Sequence, residues 1–76
     1  MNLHFLHERQ LSYIISTSNM RYPRLWRAKN MEIWCQENFG ESAWDTSDGI
    51  WCVDVWLETW YFRYAEDACA FKLRWF

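Results

Sequence analysis

Three cysteines and two histidines are the residues whose side chains could ligate a metal or act as nucleophiles. The cysteines, Cys35, Cys52 and Cys69, lie at equal intervals without a Cys-x-x-Cys pair, and both histidines, His4 and His7, lie near the N-terminus. Structural zinc sites place their ligands in closely spaced pairs. We therefore expect no metal site, buried free thiols in a reducing cytosol, and exposed histidines without a catalytic role.

Two carboxylates, Asp45 and Asp54, are predicted to share one face of a sheet and could form an acid–base pair. General acid–base catalysis needs a concave site that excludes water, and a two-layer fold of 76 residues has little room for one. The sequence also has no Gly-rich phosphate loop and no Ser/His/Asp set. We predict a protein that is not an enzyme and binds no cofactor.

Asp45, Cys52 and Asp54 lie in a predicted three-stranded antiparallel meander over residues 43–64, which would position them. Asp48-Gly49 is typical of a type I′ hairpin turn, and Glu58-Thr59 is the predicted second two-residue loop. The resulting cross-strand pairs are Ser47 with Ile50, Thr46 with Trp51, Trp44 with Val53, Leu57 with Trp60, Trp56 with Tyr61, Val55 with Phe62, and Asp54 with Arg63.

Side chains alternate between the two faces of such a sheet. The predicted core face carries Trp44, Trp51, Val53, Val55, Leu57, Trp60, Phe62 and Tyr64. The predicted open face carries Asp45, Cys52, Asp54, Trp56, Tyr61 and Arg63.

Residues 10–16 alternate in polarity and are rich in β-branched side chains, which predicts a further strand of the same sheet. Residues 1–9 are predicted to be a flexible arm or an extension of that edge strand. They have neither a basic region nor a long apolar run, so we expect no signal peptide and no membrane span.

Two helices are predicted, one from Pro23 to Gly40 and one from Ala65 to Trp75. The alternation in residues 71–75 would also suit a strand, but the acidic start and basic end of this segment favour the helix. The inner stripes are predicted to be Leu25, Ala28, Met31, Cys35 and Phe39 on the first helix, and Tyr64, Ala68, Phe71 and Trp75 on the second.

The predicted fold is α+β, with the order β-α-β-β-β-α and both helices packed on one face of an antiparallel sheet in a single domain, 1–76. The order from Pro23 onward resembles the topology of double-stranded RNA-binding domains. That family opens its second helix with lysines that contact phosphates, whereas this chain has Ala65-Glu66-Asp67-Ala68. The resemblance therefore carries the topology and not RNA binding.

Two motifs carry a second resemblance. Residues 34–40 read Trp-Cys-Gln-Glu-Asn-Phe-Gly, and residues 66–75 read Glu-Asp-Ala-Cys-Ala-Phe-Lys-Leu-Arg-Trp. Together with the Trp-rich hairpin they resemble small uncharacterised proteins of tailed phages, particularly marine and cyanobacterial ones. This resemblance implies a phage accessory protein in the host cytoplasm that binds host or phage machinery.

The composition favours protein binding. The chain has 7 Trp and 21% aromatic residues, and its net charge of −2 argues against wrapping a nucleic acid. Aromatic and arginine side chains dominate the energetics of protein interfaces. The predicted partner-binding residues are Trp26, Arg27 and Ile33 on the first helix, Trp56, Tyr61 and Arg63 on the sheet, and Leu73 and Phe76 at the end of the second helix.

Two alternatives stay open. The same surfaces would suit a virion or assembly component, or a homo-oligomeric structural protein. A single-stranded nucleic acid could instead stack on Trp56 and Tyr61, with Arg63 as the cationic contact. We do not favour this alternative, since Asp45 and Asp54 would share that face and repel phosphates.

Overall fold

A computed structural model describes residues 3–18 and 24–76, with side chains described for residues 5–18 and 28–76. In chain order the elements are α1 (Leu3–Glu8), β1 (Tyr13–Ser16), α2 (Arg24–Phe39), β2 (Trp51–Asp54), β3 (Thr59–Phe62) and α3 (Ala65–Trp75). The strands form one antiparallel sheet in the order β1-β3-β2. The α+β class is confirmed, and the predicted order of elements fits apart from an added N-terminal helix and one missing strand.

The second predicted turn is wrong in length, and the register changes with it. The loop between β2 and β3 spans four residues, 55–58, rather than two. Phe62 therefore lies opposite Trp51, and Thr59 lies opposite Asp54, which excludes the predicted Asp54–Arg63 cross-strand pair. The shift is an even number of residues, so each strand residue keeps its predicted face.

The Asp48-Gly49 hairpin is also wrong, because residues 43–47 are a chain of turns rather than a strand. Among the described glycines, Gly40 has a positive φ and Gly49 does not. The predicted type I′ turn needs a positive φ at both central positions. Gly49 is instead buried against the backbone of Ser42 and Ala43, where a Cβ atom would overlap that backbone.

The main core lies between one face of the sheet and two helices, as predicted. Met31 and Cys35 of α2 and Phe71 of α3 are fully buried. The ring of Phe71 contacts the rings of Trp60 and Phe62 at centroid distances of 5.0 and 5.3 Å. The buried members of this core are Ile15, Met31, Cys35, Trp51, Val53, Trp60, Phe62, Ala68, Phe71 and Trp75.

Helix α2 ends at Phe39 and is followed by Gly40, whose φ of 83° and amide bond to the Gln36 carbonyl (3.1 Å) match the predicted C-terminal glycine. Pro23, the predicted start, and the side chain of Leu25 lie outside the described residues. Helix α3 follows the predicted bounds of 65–75. Tyr64, predicted to be on its inner stripe, is exposed.

The other face of the sheet is covered, which overturns the predicted open face. Helix α1 occupies the place of the predicted arm and ends in a Schellman motif, in which Leu11 N–H donates to the Leu6 carbonyl (2.9 Å) and Gln10 adopts a φ of 59°. The apolar contact that accompanies such motifs is present here. A second buried cluster contains Leu6, Leu11, Ala43, Cys52 and Tyr61.

Candidate functional site

The thiols do not form a reactive site. Cys35 and Cys52 are buried and free, as predicted, whereas Cys69 is exposed. Burial and the nearby carboxylate of Asp54 raise the pKa of Cys52 to about 12, and burial with the charge of Glu32 raises the pKa of Cys35 further. The thiolate is the nucleophilic form, so both buried cysteines are inert near neutral pH. In the described part of the chain, no three His, Cys, Asp or Glu side chains form a group that could hold a metal ion.

The two candidate carboxylates are each engaged in a local turn. Asp45 accepts a hydrogen bond from the Ser42 hydroxyl at 3.1 Å, and Asp54 accepts one from the Leu57 amide at 3.2 Å. Bonds of this kind shape turns by replacing backbone partners. The geometry therefore assigns both carboxylates a structural role.

Among the side chains of residues 5–18 and 28–76, the most exposed apolar group lies in the turn between β2 and β3. Val55, Trp56 and Leu57, which we call the hairpin tip, are 49%, 87% and 62% exposed. The sequence placed Val55 and Leu57 on the core face, and this was wrong because the four-residue loop removes them from the strands. Three consecutive large apolar side chains at a turn are an unusual use of exposed surface.

The hairpin tip is held by hydrogen bonds on both sides. The Asp54 carboxylate fixes the Leu57 amide, and the Thr59 hydroxyl donates to the Leu57 carbonyl at 2.9 Å. Glu58 adopts a φ of 51°, which is uncommon for a residue other than glycine. Its carbonyl accepts bonds from both the amide and the hydroxyl of Thr17, at 2.9 and 3.1 Å.

Thr17 connects this turn to the core. It is buried, and its hydroxyl oxygen also accepts a hydrogen bond from the indole nitrogen of Trp60 at 3.3 Å. Trp60 is itself stacked on Trp51, with ring centroids 6.1 Å apart. The backbone of the turn is thus hydrogen-bonded to the core through Glu58, Thr17 and Trp60, which reduces the backbone freedom that binding would cost.

The predicted partner-binding residues differ in their exposure. Trp56, Leu73, Phe76 and Ile33 are exposed, the last only to 43%. Tyr61 is buried, and the Nε of Arg63 donates to the carbonyl of Arg9 at 3.0 Å. The side chains of Trp26 and Arg27 lie outside the described residues.

The burial of Tyr61 removes the stacking platform that the nucleic-acid alternative required. Burial and the charge of Asp54 also raise the pKa of the Tyr61 phenol.

Trp44, predicted to be in the core, is half exposed. Its ring stacks on Phe5 with ring centroids 4.7 Å apart, and its indole nitrogen donates to the Val53 carbonyl at 3.0 Å. This contact lies on the side of the sheet that the sequence predicted to be open.

Comparison with known proteins gave no match. No family model, no curated protein and no solved structure is similar to this chain. Within the described residues, no helix is both long enough and apolar enough to span a membrane.

Sequence reasoning identified Trp56 but missed its neighbours. A strand pattern and a turn pattern compete in Val55-Trp56-Leu57-Glu58, and β propensity favours the strand. The signal that could have corrected this is Asp54, because an aspartate three residues before an amide that it can bond is typical of a turn. Tyr13 and Ile14, which are 45% and 63% exposed on β1, were also not among the predicted binding residues.

Proposed function

We propose that this protein is a small non-enzymatic binding module that attaches to a protein partner through the hairpin tip. The observation that carries the proposal is the 87% exposure of Trp56 on a turn that is bonded to the core. Tryptophan is among the residues that most often dominate the binding energy of an interface. A monomer with no partner gains nothing from exposing Val55, Trp56 and Leu57 together.

The proposed partner is a protein of the host machinery or of a host defence system, and the proposed location is the host cytoplasm. The resemblance of residues 34–40 and 66–75 to small proteins of tailed phages supports this context. In this proposal the protein acts by occupying a surface of its partner. Ile33, Leu73 and Phe76 are also exposed, but they lie on or at the ends of the helices, and this proposal does not place them in the contact.

The test compares two surfaces of the same protein. Tagged wild type, Trp56→Ala and Leu57→Ala are incubated with lysate of a cyanobacterium, and bound proteins are quantified by mass spectrometry. Leu73→Ala and Phe76→Ala are matched controls, because they remove exposed apolar side chains from α3. We expect one protein to be retained by wild type and both controls and lost by both tip variants.

The retained protein is then purified and titrated by calorimetry. Because truncation of a central interface residue costs about 2 kcal/mol or more, Trp56→Ala should weaken binding by about 30-fold. Its unfolding midpoint in urea should match that of the wild type, since surface substitutions change stability by less than about 0.5 kcal/mol. Full retention of every protein by Trp56→Ala and Leu57→Ala would rule out the hairpin tip as the binding surface.

A further inference from the structure

Strand β1 is an edge strand whose outer side carries backbone hydrogen-bonding groups. The amide of Thr17 bonds to the Glu58 carbonyl, so Thr17, Ile15 and Tyr13 direct their backbone groups toward β3. Backbone direction alternates along an antiparallel strand. Ile14 and Ser16 therefore direct their amides and carbonyls away from the sheet.

At the opposite edge of the sheet, the outward carbonyls of β2 accept hydrogen bonds from within the chain. On β2, the outward carbonyl of Trp51 accepts the Ala43 amide at 2.7 Å, and that of Val53 accepts the indole nitrogen of Trp44 at 3.0 Å. These bonds cap β2 with the preceding loop. Within residues 3–18 and 24–76, no hydrogen bond of this kind reaches the outer side of Ile14.

Apart from its length of only four residues, the edge of β1 lacks the features that prevent edge-to-edge pairing. Natural edge strands are protected by lysine, proline, bulges or inward charges. Residues 10–18 contain no charged residue and no proline, and Ile14 is 63% exposed. Beside it runs an apolar groove of about 480 Å³, lined by Leu6, His7, Gln10, Leu11, Ser12 and Ile14.

We propose that β1 pairs antiparallel with β1 of a second copy of this chain, with the two-fold axis at Ile14. The order Ser12-Tyr13-Ile14-Ile15-Ser16 is self-complementary in this register. Ser12 of one copy lies opposite Ser16 of the other, Tyr13 lies opposite Ile15, and Ile14 lies opposite Ile14. The two-fold axis repeats each of these contacts, so the strand edge is complementary to itself, as an isologous interface requires.

The sequence of the strand favours a second copy over a strand of another protein. A two-fold axis brings each residue near its own symmetry mate, so a charge close to the axis would repel itself. The segment 12–16 has no charge. The two Ile14 side chains would meet on the side of the groove, and the sheets would join into six strands.

The size of the contact predicts a weak dimer. Five paired residues extend over about 17 Å, and interfaces of this kind bury less than about 1,200 Å² in total. This is below about 600 Å² for each copy, or roughly one ninth of its 5167 Å² surface. We expect a dissociation constant in the micromolar range or weaker, and the dimer does not involve the hairpin tip.

The first experiment measures mass by sedimentation equilibrium from low micromolar to millimolar concentration. Ile14→Lys places like charges at the axis, and Ile14→Pro removes the outward amide; both should weaken dimerisation at least about tenfold. Leu73→Lys is the matched control, because Leu73 is exposed on α3. It should dimerise as the wild type does, and far-ultraviolet spectra should agree for all four proteins.

The second experiment tests the register in a Cys69→Ser background, which removes the exposed thiol. Residues opposite each other in a hydrogen-bonded pair have Cα atoms about 5.5 Å apart, within the range of a disulfide. Ile14→Cys should therefore form a covalent dimer with diamide as oxidant. Ser12→Cys should not form one alone, but should link to Ser16→Cys when the two variants are mixed.

A wild type that stays monomeric over the whole concentration range would refute the proposal. A dimer that survives Ile14→Lys and Ile14→Pro but dissociates in Trp56→Ala would also refute it, because the hairpin tip would then be the contact. A dimer lost in both Ile14 variants and kept in Trp56→Ala supports the proposal. Since the two surfaces have separate variants, failure of this proposal leaves the proposed function unaffected.

Discussion

Gly49 occupies a position where an added methyl group has no space. A Cβ atom there would overlap the backbone of Ser42 and Ala43. Backbone cannot move aside as a flexible side chain can, so we expect Gly49→Ala to lower the free energy of unfolding by about 2 to 3 kcal/mol. The measurement is urea unfolding followed by circular dichroism.

Gly40 provides the control for this prediction. It has a φ of 83° and no atom within 4 Å of an added Cβ, so Gly40→Ala carries only the cost of the left-handed conformation, about 1 kcal/mol. A larger loss of stability in Gly49→Ala than in Gly40→Ala would show that close packing costs more than the left-handed backbone conformation. A larger loss of stability in Gly40→Ala than in Gly49→Ala would contradict the packing argument.

The packing role of Gly49 could not be predicted from the sequence. Asp48-Gly49 matches a local turn pattern, and that pattern predicts a positive φ. The actual constraint is contact with backbone six and seven residues earlier in the chain, at Ala43 and Ser42. A tertiary contact of this kind leaves no local pattern. Gly40, whose constraint is local, was predicted correctly.

At the scale of elements, the alternation of residues predicted the faces of β2 and β3 but not their register. Trp51, Val53, Trp60 and Phe62 are buried on one side, as period-two alternation indicates. Loop length decides the register, and loops of two and four residues preserve the same alternation. The sequence therefore predicted the core correctly and assigned the hairpin tip to the wrong environment.

Substitution of Thr17 measures how much its hydrogen bonds to Glu58 and Trp60 contribute to the free energy of unfolding. Thr17→Val keeps the shape and removes the hydroxyl that the indole of Trp60 uses, so a buried N–H loses its acceptor. Such a loss costs about 1 to 3 kcal/mol. We also expect the Trp60 indole proton to exchange faster with solvent, as measured by nuclear magnetic resonance.

Thr17→Ser is the matched variant, since it retains the hydroxyl and loses one methyl group. It should keep slow exchange of the Trp60 indole proton and lose about 1 kcal/mol or less. Equal indole exchange in wild type and Thr17→Val would show that the bond of 3.3 Å contributes nothing.

For the whole molecule, the prediction of two helices over one sheet face was correct, and the prediction of an open second face was wrong. Long amphipathic segments such as 24–39 and 65–75 carry enough periodicity to be recognised. Helix α1 has only six residues, and a stretch of this length has no clear helical period. Its residue Leu6 joins Leu11 and Ala43 in the cluster that buries Cys52 and Tyr61 on that face.

The two buried thiols make the stability of the whole molecule depend on pH in the alkaline range. Cys52 and Cys35 have a usual pKa of 9.0, which burial raises to about 12 for Cys52 and further for Cys35. Above pH 9 the unfolded chain loses these protons while the folded chain keeps them. The contribution of these thiols to the free energy of unfolding should therefore be constant below this range and fall as pH rises toward the folded pKa, by at most about 1.4 kcal/mol per pH unit for each thiol.

Urea unfolding at a series of pH values, with a reductant present, measures this slope. Cys52→Ala removes one of the two buried thiols, so its stability should fall less steeply above pH 9 than that of the wild type. Cys69→Ala is the control, because the exposed thiol contacts water in both the folded and the unfolded chain. The pKa of Tyr61 is raised from 10.0 by burial and by the charges of Asp54 and Cys52, so only part of its contribution persists in Cys52→Ala. An equal alkaline slope in wild type and Cys52→Ala would mean that the Cys52 thiol reaches solvent in the folded protein, and the second buried cluster would then be open rather than closed by α1.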